Sequence, residues 1–156
     1  MGATDLFADV VIKIDKLNAI GLEKVKEELL EKGVKSESLS ILDTFLNTKT
    51  VSDLSSLLEQ SEIGKKGLEE LQFVIDNVTK LGLQSANLVF DITLARGLNY
   101  YTGCILEVKA NDVKIGSIGG GGRYDDLTSN FGLKDVSGIG ISFGIDRIYL
   151  VMEELG

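Results

Sequence analysis

The sequence predicts an α+β fold, in which a helical first half is followed by a half built from strands. Up to about residue 85, apolar residues recur at the three- and four-residue spacing of amphipathic helices. From about residue 86 the pattern repeats every two residues, which is typical of strands. A run of helices followed by a run of strands is the order found in α+β domains.

Four helices are predicted in the first half from their apolar stripes and from residues that begin or end helices. The first spans residues 17–32. Ser36 is the predicted cap of the second, and Ser52 comes before a short third helix. The fourth spans residues 65–81 and ends at Gly82, because glycine readily takes the left-handed conformation that terminates a helix.

Four strands and a closing helix are predicted in the second half. The strands span residues 88–95, 102–109, 113–118 and 138–144. An Asn-Asp pair at positions 111 and 112 favours a turn, which makes the second and third strands an antiparallel hairpin. The closing helix spans residues 146–155, with Asp146 as its predicted cap.

The composition excludes several kinds of site. The chain has 156 residues, 24 acidic and 16 basic, and therefore a formal net charge of −8. The absence of His excludes His-based metal sites and Ser–His or Cys–His catalysis, and the single Cys excludes an internal disulfide. No apolar run approaches the length of a membrane span, and no leader-like pattern opens the sequence. We therefore expect no metal site, no membrane association and a cytoplasmic location.

Arginine and glycine are concentrated in the second half. The three arginines are Arg96, Arg123 and Arg147, and 11 of the 18 glycines lie between residues 97 and 144. Arginine suits two-pronged recognition of carboxylates and phosphates, and glycine permits close approach of a ligand. The combination favours a site for an anionic small molecule over the alternative, in which the arginines form surface salt bridges and the glycines form turns.

Residues 138–144 are predicted to place small residues on one strand face, namely Gly138, Gly140, Ser142 and Gly144. Such a face indicates either a flat ligand, such as a nucleotide base and ribose, or another backbone packed against it. Arg147 then falls in the first turn of the closing helix, where a cation opposes the helix dipole unless an anion lies near it.

Two further segments are candidate parts of a pocket. The four glycines at 119–122 are predicted to be too flexible for a plain strand and to form a pocket floor beside Tyr124. Their spacing matches neither a Walker A loop nor a dinucleotide fingerprint. Tyr100 and Tyr101 are predicted to point to opposite sides of an extended segment, so that one of them enters the pocket. Glu107 lies further along, in the second predicted strand at residues 102–109.

Three segments of the second half resemble the histidyl-tRNA synthetase family, a family of class II aminoacyl-tRNA synthetases. They are FDITLARGLNYYTGCILEV, GGGGRYDDL and GIGISFGIDRI, in that order. RGLNYYTG looks like the histidine motif of the family, with Asn99 where Asp is usual, and GIGISFGIDRI looks like class II motif 3. The resemblance implies three parts: residues 1–16 lead into an insertion, residues 17–82 form a helical insertion domain, and residues 83–156 form the C-terminal part of the catalytic core. That core is an antiparallel sheet with flanking helices.

The resemblance also implies roles for individual residues. Arg96 matches the catalytic arginine that binds the histidine carboxylate and the α-phosphate. The residues matching the histidine pocket are Tyr100, Tyr101, Tyr124, Gly120 and Gly121. The residues matching the ATP site are Arg147, Gly144 and Gly140. The implied ligands are L-histidine, ATP carrying Mg²⁺ as a substrate complex, and tRNA(His); the family acts as a homodimer, and no permanently bound cofactor is implied.

Motifs 1 and 2 and an anticodon-binding domain are not recognisable in the 156 residues. We therefore expect a fragment of a histidine–tRNA ligase that is inactive by itself. One alternative is a histidine-binding regulatory paralogue of ATP phosphoribosyltransferase, although that paralogue typically lacks the helical insertion. Another is a helical interaction module joined to a sheet that binds no ligand.

Overall fold

A computed structural model describes residues 6–96 and 100–156 and has the predicted α+β organisation. The chain divides into two compact units, Met1–Ala95 and Arg96–Gly156. The helices of the first unit are α1 (Phe7–Asp15), α2 (Leu17–Ile20), α3 (Leu22–Glu31), α4 (Ser36–Leu46) and α5 (Glu62–Leu81), with a 3₁₀ turn at Ser52–Leu54. The second unit contains strands β1 (Ile105–Lys109), β2 (Ser117–Tyr124) and β3 (Gly138–Phe143), a 3₁₀ helix at Leu127–Phe131, and α6 (Ile145–Leu155).

The core of the helical unit lies between α1, α3 and α4. Its largest fully buried side chains are Val25, Leu29 and Leu42. Val10 and Ile14 of α1 belong to the same cluster, although the periodicity predicted no separate helix there. These apolar side chains leave water together, and their burial stabilises the unit.

Local backbone signals explain where the helices differ from the prediction. Gly21 has a φ of 82°, which divides the predicted helix at 17–32 into α2 and α3. Ser61 begins α5 three residues early, because its hydroxyl accepts the backbone N–H of Gly64, and α5 ends before Gly82 as predicted. The predicted cap Ser36 is instead the first residue of α4, and the predicted third helix is only the 3₁₀ turn. None of the helices among the described residues combines the length and apolar character needed to cross a membrane.

Two adjacent leucines of α3 provide a matched test of this core. Leu29 is 1% exposed and Leu30 is 45% exposed. We expect Leu29→Ala to lower the free energy of unfolding by about 3 kcal/mol, because it leaves a cavity in the core. We expect Leu30→Ala to cost less than about 1 kcal/mol. Urea titrations followed by far-UV circular dichroism measure both, and equal losses would contradict this description of the core.

The three strands form one antiparallel sheet in the order β1-β2-β3. The predicted hairpin is confirmed, but its second strand starts at Ser117 and runs through the glycine segment. The prediction that residues 119–122 do not form a plain strand is therefore wrong. This central strand needs glycine at several positions, because neighbouring atoms leave little room for side chains. A Cβ at Gly121 would overlap the carbonyl oxygen of Gly140, and one at Gly119 would lie 2.8 Å from the Phe143 ring.

Two other predictions about the second half are corrected. Residues 88–95 form no strand, because the Asp91 carboxylate accepts the backbone N–H of Thr93 at 2.9 Å and its hydroxyl at 2.6 Å. This Asx turn satisfies the backbone locally, and none of the described strands pairs with the segment. Asp146 does not cap α6: Gly144 occupies the N-cap position, and Asp146 lies in the first turn.

Candidate functional site

One face of the sheet is open at its centre because of the glycines in β2. Glu107 of β1, Gly120 of β2 and Ser142 of β3 are direct partners across the three strands. Side chains alternate along a strand, so these three residues share a face. Gly120 between them offers only backbone, and a ligand or a long side chain can therefore lie across the middle strand.

A cavity of about 330 Å³ lies on this face. Seven of the nine predicted site residues line it: Arg96, Tyr100, Tyr101, Gly120, Gly121, Gly144 and Arg147. The other two, Tyr124 and Gly140, are not among its lining residues. Three residues of the histidine motif, Gly97, Leu98 and Asn99, lie outside the described residues.

Arg96 is held at the cavity by a carboxylate. Its Nη2 atom lies 2.7 Å from Oε1 of Glu107, whose other oxygen lies 2.8 Å from Nζ of Lys109. Nη1 of Arg96 lies 3.5 Å from the hydroxyl oxygen of Ser117. The arginine side chain is about half exposed, at 48%, whereas that of Glu107 is 9% exposed. The guanidinium group therefore contacts a carboxylate on one side and is open on the cavity side.

Arg147 reaches back from α6 to the first residue of β2. Its Nη1 atom donates a hydrogen bond of 2.6 Å to the carbonyl oxygen of Ser117. Ser117 is thus adjacent to both arginines of the cavity, and it is buried. Ser117 is not among the predicted site residues, because no motif marks a serine before a glycine run. Its position next to the predicted floor was the available signal.

The two adjacent tyrosines lie on the same side, which corrects the prediction that they point apart. Their ring centroids are 4.3 Å apart with a tilt of 52°. The chain turns at Tyr100 instead of running straight, so the alternation of an extended segment does not apply. A hydrogen bond with Tyr100 is the largest cause that raises the pKa of Tyr101, followed by burial. The Tyr101 hydroxyl therefore stays protonated near neutral pH and can act as a donor.

The Tyr124 side chain accounts for the absence of side chains at two of the four small residues, Gly138 and Gly140. A Cβ at Gly138 would overlap the Tyr124 ring, and one at Gly140 would lie 3.1 Å from the Tyr124 hydroxyl oxygen. A side chain of the same sheet therefore covers this end of the face, where the sequence suggested a flat ligand or a backbone. Ser142 and Gly144, at the other end, line the cavity.

Asp125 links the end of β2 to the segment that follows Tyr101. Its carboxylate accepts hydrogen bonds from Nε and Nη2 of Arg123 at 3.0 and 3.1 Å, and from the hydroxyl of Thr102 at 2.8 Å. Hydrogen bonds from Ser137, Arg123 and Thr102 lower the pKa of Asp125 from 3.8 to about 2. Arg123 is thus a structural arginine, and this cluster fixes Thr102 next to the cavity tyrosines.

The low pKa of Asp125 predicts how the stability of the second unit depends on pH. Because the pKa in the folded chain, about 2, lies below the ordinary value of 3.8, the carboxylate stabilises the fold above about pH 4. That contribution is lost as the pH falls toward 2. We expect Asp125→Asn to lower the melting temperature at pH 7 and to have little effect at pH 2. Thermal melts at both pH values measure this, and an equal loss at pH 2 would contradict it.

The fold has a close counterpart among solved structures. A crystal structure of histidyl-tRNA synthetase from Nostoc sp. PCC 7120 matches 99% of this chain with a TM-score of 0.86 and 32% sequence identity. The helical unit and the antiparallel sheet are thus those of a class II aminoacyl-tRNA synthetase. The family model described as histidyl-tRNA synthetase matches residues 10–148. The chain belongs to the histidyl-tRNA synthetase family.

Curated relatives agree with this assignment. Histidine–tRNA ligase of Christiangramia forsetii is 54% identical over all of this chain, and that of Flavobacterium johnsoniae is 55% identical over 99% of it. The chain spans 36% and 34% of these two relatives, and 38% of the Nostoc protein. These comparisons give no support to the alternative of a regulatory paralogue.

Proposed function

We propose that this chain supplies the histidine pocket and part of the ATP site of a histidine–tRNA ligase. Such an enzyme joins histidine to ATP as histidyl-adenylate and then transfers the histidyl group to tRNA(His). The observation that carries the proposal is the meeting of Arg96, Arg147 and two tyrosines around a glycine floor in one cavity. Membership of the family, with ligases as relatives, supports the same activity.

In the first step a carboxylate oxygen of histidine attacks the α-phosphorus of ATP, and the bond to pyrophosphate breaks. Negative charge builds up on the α-phosphate oxygens as the new P–O bond forms. Arg96 neutralises this charge, since its guanidinium lines the cavity. Fixed donors aimed at developing charge stabilise a transition state more than a ground state. ATP enters as its Mg²⁺ complex, which belongs to the substrate.

The remaining roles follow the geometry of the cavity. Tyr100 and Tyr101 recognise the histidine side chain, since both line the cavity with Arg96 and a phenolic hydroxyl can donate or accept a hydrogen bond. Gly120 and Gly121 let the amino acid lie close to the sheet, and Tyr124 closes that end. Arg147 binds the terminal phosphate of ATP, with Gly144 and Gly140 beside the nucleotide. Arg147 now contacts the Ser117 carbonyl, and a phosphate oxygen would be a stronger acceptor.

We further assign residues 1–16 and 83–156 to the catalytic domain and residues 17–82 to an inserted helical domain. The resemblance of the second-half motifs and the change of hydrophobic period support these bounds. We also propose that the complete ligase is a cytoplasmic homodimer, as the family resemblance implies.

A chimeric enzyme tests the proposed function. The matching segment of the Flavobacterium johnsoniae ligase, aligned over 161 residues, is replaced by this chain. We expect histidine-dependent exchange of pyrophosphate into ATP to stay within about tenfold of the unaltered enzyme, a change of about 1.4 kcal/mol. The unaltered enzyme is the control, and lysine in place of histidine tests substrate choice. A folded chimera without histidine-dependent exchange would overturn the proposal.

A further inference from the structure

Glu107 is a largely enclosed carboxylate on the cavity face of the sheet, and the proposed chemistry gives it no direct step. It lies on β1 opposite Gly120, with a side chain that is only 9% exposed. One of its oxygens contacts Arg96 and the other contacts Lys109. Carboxylates are rarely buried to this extent unless they are paired, so these two cations account for its place in the fold.

The contacts restrict the orientation of Arg96. A guanidinium group has five N–H donors, of which one on Nη2 is directed to Glu107 at 2.7 Å. The opposite Nη1 passes beside Gly120, where a Cβ would lie 3.7 Å from it. The guanidinium plane is thus held at one edge by a carboxylate and passes over a strand position that has no side chain.

The charges of the cluster explain why a second cation is needed. Arg96 and Glu107 alone would form a neutral pair, which attracts an anion weakly. Lys109 adds a positive charge, so that the two cations and one anion together carry a net charge of +1. Glu107 can therefore hold Arg96 in place without cancelling the field that the arginine presents to the cavity.

We propose that Glu107 is a positioning residue that fixes the Arg96 guanidinium for the anionic ligand, and that Lys109 offsets its charge. The proposal deepens the proposed function and rests on it for the identity of the ligand. Replacing Glu107 by a neutral residue changes the affinity for an anion in opposite directions, depending on whether Glu107 positions Arg96 or acts only through its charge. Glu107→Gln raises the net charge of the cluster, so electrostatics alone would tighten anion binding, whereas loss of positioning weakens it.

The test uses the full 156-residue chain without ligand and observes the ¹⁵N signals of its arginine side chains. The three arginines give three Nε–H signals, which single substitutions assign. We expect rotation of the Arg96 guanidinium about its Cζ–Nη bonds to be about tenfold faster in Glu107→Gln, as expected on losing a charge-assisted hydrogen bond. The Arg123 and Arg147 signals are the internal controls and should not change.

Backbone amide signals of residues 119–122 show whether each variant keeps the sheet. If Glu107→Gln does not fold, Glu107→Asp replaces it, because the aspartate keeps the charge but withdraws the carboxylate by one methylene. A folded variant of either kind in which the Arg96 rotation matches that of the unaltered chain overturns the proposal.

Titration with inorganic pyrophosphate separates this inference from the proposed function. We expect Glu107→Gln to weaken pyrophosphate binding about tenfold, and Lys109→Gln to weaken it while the Arg96 rotation stays slow. If Glu107→Gln binds pyrophosphate more tightly, Glu107 acts only through its charge and the proposal that it positions Arg96 is overturned. If pyrophosphate leaves all three arginine signals of the unaltered chain unchanged, the proposed ATP site is contradicted, and the rotation measurement in the free chain still decides the role of Glu107.

Discussion

Replacement of Gly121 by alanine is expected to unfold the sheet of the second unit. The new Cβ would overlap the carbonyl oxygen of Gly140 and would lie 2.7 Å from Cα of Ile141. Both neighbours are backbone atoms of the paired strand, so they cannot move aside as a flexible side chain would. We expect a loss of about 3 kcal/mol or more in the free energy of unfolding of this unit. Hydrogen exchange of the β2 amides measures the loss.

Gly120→Ala is the matched control, because it changes the neighbouring residue of the same strand. Its nearest neighbour would be the carbonyl oxygen of Leu106 at 3.3 Å, which a small shift relieves. We expect this variant to keep the sheet with a clearly smaller loss of protection. If the β2 amides of Gly121→Ala exchange hydrogen no faster than those of Gly120→Ala, the close approach of β2 and β3 described above is wrong.

Arg96→Ala is expected to reduce histidine-dependent pyrophosphate exchange by about 10²- to 10³-fold in the chimeric ligase described above. The substitution removes the donor that we propose to stabilise charge at the α-phosphate. The fold should survive, because the Arg96 side chain is half exposed and Glu107 keeps its contact with Lys109. Exchange rates at saturating histidine and ATP, with circular dichroism spectra alongside, measure both parts of this expectation.

Lys134→Ala provides a control for Arg96→Ala, since it also removes one positive charge from the second unit but at an exposed position away from the cavity. We expect exchange within about twofold of the unaltered chimera, as is usual for an exposed substitution far from a site. The role proposed for Arg96 would be contradicted if Arg96→Ala kept near-normal pyrophosphate exchange, or if both variants lost exchange activity equally.

Hydrophobic periodicity was sufficient to predict the α+β class and most of the helices. The stripe of α5 and the glycine that ends it are local features, so the sequence contains all the information that places them. The alternation along residues 138–144 likewise predicted β3 correctly. The pattern that predicts each of these two elements lies within its own segment of the chain.

The remaining differences come from contacts between distant segments. The glycine run forms a strand because β1 and β3 supply hydrogen bonds on both sides, and no local pattern reveals these partners. In the same way, the place of Ser117 beside two arginines depends on residues 21 and 30 positions away along the chain. The cavity residues were predicted from motifs, whereas the residues that hold them in place became visible only in the fold.

The glycine strand also limits how this pocket can be redesigned. At Gly119, Gly121 and Gly122 a methyl group would meet a ring or a carbonyl oxygen, so even the smallest side chain disturbs the sheet before it changes the pocket. Of the four floor positions, only Gly120 leaves room for a methyl group without such an overlap. A change in the shape of the cavity is therefore best sought at Gly120 or at Tyr100 and Tyr101, which line the cavity and lie outside the three strands.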